Sequence, residues 1–277
     1  MKKNYILSLL SLLVALSGCI VDVADQSSEQ TTTSTANGIS SAYIDASGYR
    51  ESLSVEGNSG NTLMADGQFS LWATSASSAA SITKNVHLYW GVDTLSKSPR
   101  NLQAHLFSYS DGPQKELVLI NKMTAKIPAQ ENLTVTAGST DVSIQSMNGD
   151  ITVGGAESNI NFANAGRMNI TTTSGTITGK SGLGGLVQST SGDINITITN
   201  SGFYDLNVST SSSGNVTIHV PAGIGITLLL ASPHGNCNLN YDGVIMNSTT
   251  GGISTNLHGG GRKLQVATST GSITVTN

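Results

Sequence analysis

From Val142 onward apolar and polar residues alternate in short bursts, and each burst is broken by the same kind of phrase. Examples are "TTSGTITG" from Thr172, "SGDINITI" from Ser191, "SSSGNVTIHV" from Ser211 and "TSTGSITVTN" at the end of the chain. With the glycine of each phrase as anchor, at Gly149, Gly175, Gly192, Gly214, Gly235, Gly251 and Gly271, the phrases recur about every 20 residues, a spacing typical of stacked repeats. Two places after the glycine stand Ile151, Ile177, Ile194, Val216, Cys237, Ile253 and Ile273. The places four after, five before and seven before (one further back at Gly214) bring the total to 25 apolar residues in 28. A chain that is 38% apolar would supply about 11 by chance.

Each unit therefore reads apolar-x-apolar, a Ser/Thr/Gly turn, then apolar-x-apolar. Period-two alternation is the strand signal, because successive side chains point to opposite faces. Two short strands joined by a bend cannot bury their inner face alone, but stacked copies can, each inner column becoming a ladder of aliphatics. The pattern predicts an all-β fold, a single-stranded parallel β-helix or β-solenoid over 127–277. Its winding is expected to be right-handed, as parallel crossovers generally are, with the glycine turning each corner. An antiparallel β-sandwich also satisfies the alternation, but leaves the recurrence of one turn phrase unexplained. On this register Asp150 and Asp193 fall in one column, two units and about 10 Å apart.

Residues 38–126 have another texture. Trp72 and Trp90 lie here, and "NVHLYWGVD", "LQAHLFSYS" and "KELVLINKM" read as strands, with Ser110-Asp111-Gly112-Pro113 as a turn. A solenoid needs its open end covered, so this region is expected to be an antiparallel β cap. At the N-terminus Lys2 and Lys3 precede an apolar run from Tyr5 to Ala15, the shape of a signal peptide over 1–18. Leu16-Ser17-Gly18-Cys19 then resembles the bacterial lipobox. That resemblance implies that Cys19 is acylated and becomes the first mature residue, and Ile20 at the following position implies sorting to the outer membrane. From 19 to 37 the chain reads as a flexible tether.

The recurrent "TSGDI" and "SSGNV" phrases, the pair Ile127-Pro128-Ala129 and Val220-Pro221-Ala222, and the terminal "GSITVTN" carry a wider resemblance. Over roughly 127–277 the chain resembles the bacterial adhesin-like β-solenoid domain of unknown function (the DUF4097 type). The resemblance implies an exported, repeat-built envelope protein with no established enzymatic activity.

Composition narrows the chemistry. Charged residues are 11% and aromatics 5% of 277 residues, so Ser, Thr, Asn and Gly must cover the surface. A net charge of -4 leaves no basic footprint for nucleic acid. Cys19 and Cys237 make no disulfide framework, and Cys237 replaces an aliphatic in its column, which predicts an inert buried thiol. His87, His105, His234 and His258 show no ligand spacing and His219 points outward, so neither a metal nor another cofactor is expected. Asp150 and Asp193 would approach the separation used by inverting glycosidases. Their column continues with Asn215, Asn236, Gly252 and Ser272, which reads as turn chemistry. The expectation is a non-catalytic lipoprotein of the outer membrane or cell surface that binds glycans or envelope and host proteins. A periplasm-facing scaffold and, more remotely, a polysaccharide-active enzyme are the alternatives.

Overall fold

A computed structural model describes residues 28–35, 41–46, 49–72, 86–92, 100–106 and 117–277, save 165, 201 and 250. The signal segment, the lipobox with Cys19 and the 110–113 turn lie outside them. Every regular element described is a strand, and the strands form one sheet of 12 and one of 11. The first seven are β1 (Ser28–Thr35), β2 (Ser41–Ala46), β3 (Tyr49–Asn58), β4 (Thr62–Trp72), β5 (Val86–Val92), β6 (Arg100–Leu106) and β7 (Leu117–Pro128). Within the segment expected as a tether, β1 pairs antiparallel with β4. Its "SEQTTTST" is rich in β-branched threonine, which suits an edge strand however few apolar residues it holds.

The next strands show what the repeat encodes. β8 (Asn132–Ala137) and β9 (Asp141–Met147) form one coil, β10 (Ile151–Glu157) and β11 (Ile160–Asn164) the next, then β12 (Met168–Ser174) with β13 (Ile177–Ser181) and β14 (Gly185–Ser191) with β15 (Ile194–Ile198). β16 (Leu206–Ser213) and β17 (Val216–His219) follow. The first strand of each coil pairs in parallel with its equivalents in the 11-stranded sheet, and the second does so in the 12-stranded sheet. Inner columns such as Val142, Ile160, Ile177, Ile194 and Val216 are buried throughout. Where Gly179 interrupts a column, the ring of the neighbouring Phe162 occupies the space that a side chain would take. β2 and β3 pair in parallel with β8 and β9, so both sheets run unbroken past residue 127.

The recurrent phrase is a corner between the two sheets. Gly175, Gly192, Gly214, Gly271 and Gly235 stack there, and a Cβ on any of the last four would run into the carbonyl oxygen of the glycine one coil away. Beneath them runs a buried column of hydroxyls at Thr172, Ser189, Thr210, Thr268 and Ser232. All but the Ser189 hydroxyl, which has no partner among the described residues, bond to backbone of the turn: Thr268 Oγ1 donates to Gly214 O at 3.2 Å and Ser232 Oγ to Gly271 O at 2.7 Å, while Gly271 N–H donates to Thr268 Oγ1 at 3.1 Å. Buried peptide groups need such partners.

Two of the seven anchors do not belong to that corner. Gly149 precedes β10 in the 11-stranded sheet and stacks against Gly166, whereas Gly192 precedes β15 in the 12-stranded sheet. Both corners of a coil are flanked by apolar-x-apolar strands, so a half-coil shift leaves the apolar count unchanged. The strands after β17 are β18 (Ile226–Ser232), β19 (Cys237–Tyr241), β20 (Val244–Ser248), β21 (Gly251–Leu257), β22 (Arg262–Thr268) and β23 (Ile273–Thr276). β20 and β21, around Gly251, run antiparallel to β19 and β18, and Val244 and Met246 are exposed instead of buried.

Coils also do not stack in chain order. β22 and β23, the last coil, lie between β16/β17 and β18/β19, pairing in parallel on both sides. At the other end β2/β3 lies between β6/β7 and β8/β9. Both of these coils thus have at least two strands between them and each sheet edge, and the outermost strands β1, β5, β20 and β21 are antiparallel to their neighbours.

Candidate functional site

Alternation that buries one set of side chains lays the other on the outside in equally regular rows. On the 12-stranded sheet one row is Ala163, Lys180, Thr197, His219 and Thr276, and its neighbour is Asn161, Thr178, Asn195, Thr217 and Thr274. Ala163 is the short member of its row, and a depression of about 330 Å³ opens beside it, bordered by Gln145, Asn161, Lys180, Asn195, Thr197 and His219. Lys180 is the one formal charge among these. His219 Nδ1 lies 2.7 Å from Thr276 Oγ1, which fixes the ring and turns its other nitrogen outward. The site offers amides, hydroxyls, one ammonium and one imidazole about 4.8 Å apart along the stack. Such groups match the alternating donors and acceptors of a hydroxyl-rich ligand.

The carboxylates singled out from the sequence stand apart. Asp150 precedes a strand of the 11-stranded sheet and Asp193 a strand of the 12-stranded sheet, so they share no column. Each is a structural acceptor for the next coil: Asp150 Oδ1 takes the N–H of Arg167 at 2.9 Å, and Asp193 Oδ1 that of Asn215 at 2.7 Å. Asn132 and Asn215 do the same for Asp150 and Ser272. This is the turn role that the Asx-rich positions suggested. Cys237 is fully buried in register with Ile273, and that burial pushes its thiol pKa up. His87 and His105 are register partners on β5 and β6, a pairing that the linear sequence does not display. Among the described residues no cluster of three or more His, Cys, Asp or Glu could hold a metal ion.

One cluster is not legible in the sequence because its members come from three separate turns and from Asn277. Asp242 accepts from Gly223 N–H at 2.7 Å, from His258 Nε2 at 2.8 Å and from Asn277 Nδ2 at 2.8 Å. The Gly223 N–H and the His258 side chain hold its pKa below the usual carboxylate value, against a smaller opposing effect of burial. Next to it the buried Tyr241 hydroxyl donates to Pro221 O at 2.9 Å and accepts from Ile224 N–H at 3.0 Å. Together they lock the turns around the tucked C-terminus.

No curated protein matches the chain. Among solved structures it is similar to a "putative cell adhesion protein" from Clostridium sporogenes, at 12% identity over 91% of this chain and 99% of that one, with a TM-score of 0.35. It is also similar to a "putative adhesin" from Parabacteroides merdae, at 10% identity over 90% and 97%, TM-score 0.42. A "putative lipid binding protein" from Parabacteroides distasonis gives 12% identity over 90% and 97%, TM-score 0.32. A family model described as Toastrack DUF4097 matches residues 33–276, which takes in all of the paired strands but the start of β1 and shows that the chain belongs to that family.

Proposed function

We propose that the protein is a non-catalytic binding module, held at the bacterial outer membrane by acyl chains on Cys19. Its exposed 12-stranded sheet face engages neutral glycans or protein surfaces. The observation that carries this reading is the depression bordered by Gln145, Asn161, Lys180, Asn195, Thr197 and His219. It presents a rigid grid of hydrogen-bonding groups, uncharged save for Lys180, on a sheet whose inner face is fully packed. Side chains held on paired strands lose little further freedom on binding, so many weak contacts add usefully. The coil is read as right-handed, following the general rule for parallel crossovers, and the antiparallel strands beyond β2/β3 as a cap on the membrane-proximal end.

The test is a glycan-array and calorimetric screen of the chain, followed by Asn161→Ala/Asn195→Ala. Loss of binding in the double variant, with an unchanged melting temperature, supports the reading; a ligand that ignores both substitutions overturns it. Incorporation of labelled palmitate that disappears in Cys19→Ala tests the anchor, and protease shaving of intact cells tests surface exposure. One observation favours a scaffolding role instead: β20 leaves Val244, Ile245 and Met246 exposed on an edge strand, where another envelope protein can pair. Protection from external protease together with a stable co-purifying partner would favour that role.

A further inference from the structure

From β8 onward the longest link between coils is residues 199–205, "TNSGFYD", where two aromatics stand side by side. Phe203 is fully buried and pins the loop to the core, while Tyr204 is 54% exposed. Gly202 N–H donates to Asn200 Oδ1 at 2.8 Å and Tyr204 N–H to Leu183 O at 2.8 Å, which holds the loop down. The guanidinium of Arg167 lies over the Tyr204 ring, 4.5 Å from its centroid. Leu206 is in register with Leu264, so Arg262 lies beside Tyr204 on the next rung.

Arg167, Tyr204 and Arg262 thus surround a depression of about 530 Å³, with Gly185 and Asp205 also on its lining. Its floor is bare for a structural reason. Gly184 and Gly185 have φ of +85° and +133°, and a Cβ on Gly185 would strike the Met168 backbone, so these two positions carry no side chain. Among the described residues neither arginine has a carboxylate at ion-pair distance. The nearby carboxylates are engaged with backbone: Asp205 Oδ1 accepts Lys263 N–H at 2.8 Å and Asp150 Oδ1 accepts Arg167 N–H at 2.9 Å. The chain has 13 Lys and Arg against 17 Asp and Glu, so two unpaired guanidiniums facing one hollow are out of keeping with its surface.

We propose that this hollow is a second binding site, separate from the neutral face described above, and that it takes an anionic saccharide: a sugar ring bearing a carboxylate or sulfate. A guanidinium fork matches either oxyanion with two parallel hydrogen bonds. The Tyr204 ring, already oriented by Arg167, supplies an apolar face for the sugar.

The test is calorimetric titration of the full chain with oligogalacturonate as the carboxylate probe, a heparin-derived oligosaccharide as the sulfate probe and maltooligosaccharide as the neutral control. One or both anionic probes should bind, and the pair identifies which oxyanion is preferred. Affinity should fall at least about tenfold in Arg262→Ala and in Tyr204→Ala. Arg262→Lys should restore little, because a point charge lacks the fork. Asn161→Ala/Asn195→Ala should leave this binding unchanged, which separates the site from the neutral face. Failure of both anionic probes to bind, full rescue by Arg262→Lys, or equal affinity for the neutral control would overturn the proposal. Should Tyr204→Ala lower the melting temperature, Tyr204→Phe, which keeps the ring, must bind like the wild type.

Discussion

Gly192 has a backbone conformation open to any residue, since its φ is not positive, yet a Cβ there would collide with the carbonyl of Gly175. The glycine is needed for space between coils more than for freedom at the turn. Gly192→Ala should therefore cost about 1–3 kcal/mol, as overpacking does, read as a lower melting temperature. Gly154 is the matched control, because a Cβ there meets only Thr171 Oγ1 at 3.9 Å. Gly154→Ala should stay within about 0.5 kcal/mol. Equal melting points for the two variants would refute the close-approach argument. Single residues also mark the limit of what the pattern discloses. That Gly179 is filled by Phe162 is invisible in the sequence, because the two are 17 positions apart and become neighbours only through strand register.

At the level of elements, the corner explains why one phrase is repeated. The residue three before the glycine is a buried hydroxyl that bonds to the corner's peptide groups at Thr172, Thr268 and Ser232. Thr268→Val keeps the shape and strips the hydroxyl, leaving Gly271 N–H without that acceptor and Gly214 C=O with only the longer bond from Thr210 Oγ1 at 3.4 Å. The expected loss is about 1–3 kcal/mol, measurable by denaturant titration, and no change in midpoint would contradict the role. The Asp242 turn cluster adds a pH dependence. Its folded-state pKa is depressed, by the Gly223 N–H first and His258 after it. The ionised carboxylate therefore stabilises the fold above the ordinary value of about 3.9, and that contribution fades as pH falls through the folded value. Melting temperature against pH should show a shallower acid limb in Asp242→Asn than in the wild type, with a lower plateau at pH 6. Parallel limbs would mean that the cluster is not linked to folding.

For the molecule as a whole, the arrangement of the ends matters more than the regular middle. The last coil, β22/β23, fills a slot in both sheets. A chain ending at Gly261 would leave β16 and β18 facing each other across a gap of about two rungs, roughly 10 Å, with unpaired edges on each side. We expect this truncation to abolish cooperative thermal unfolding, and a synthetic 262–277 peptide added in trans to restore it. A truncated chain that melts like the intact one would show that the tucked coil contributes nothing. Setting both coils at least two strands in from each sheet edge protects them from fraying, and the outermost positions go to antiparallel strands that need no continuation of the repeat.

Alternation and the recurrent glycine phrase were enough, without coordinates, to establish an all-β chain with stacked parallel strands, a buried Cys237 and turn roles for Asp150 and Asp193. Those properties depend on period and residue type within a few positions, which a linear pattern records. Tertiary structure alone decided which corner each glycine occupies, that Asp150 and Asp193 lie on different sheets, that the terminal coils are tucked inward, and that Arg167, Tyr204 and Arg262 meet. All of these turn on which coil pairs with which. The strands are nearly interchangeable in sequence, so pairing is settled by how the whole set of edges and loops closes, not by any one strand.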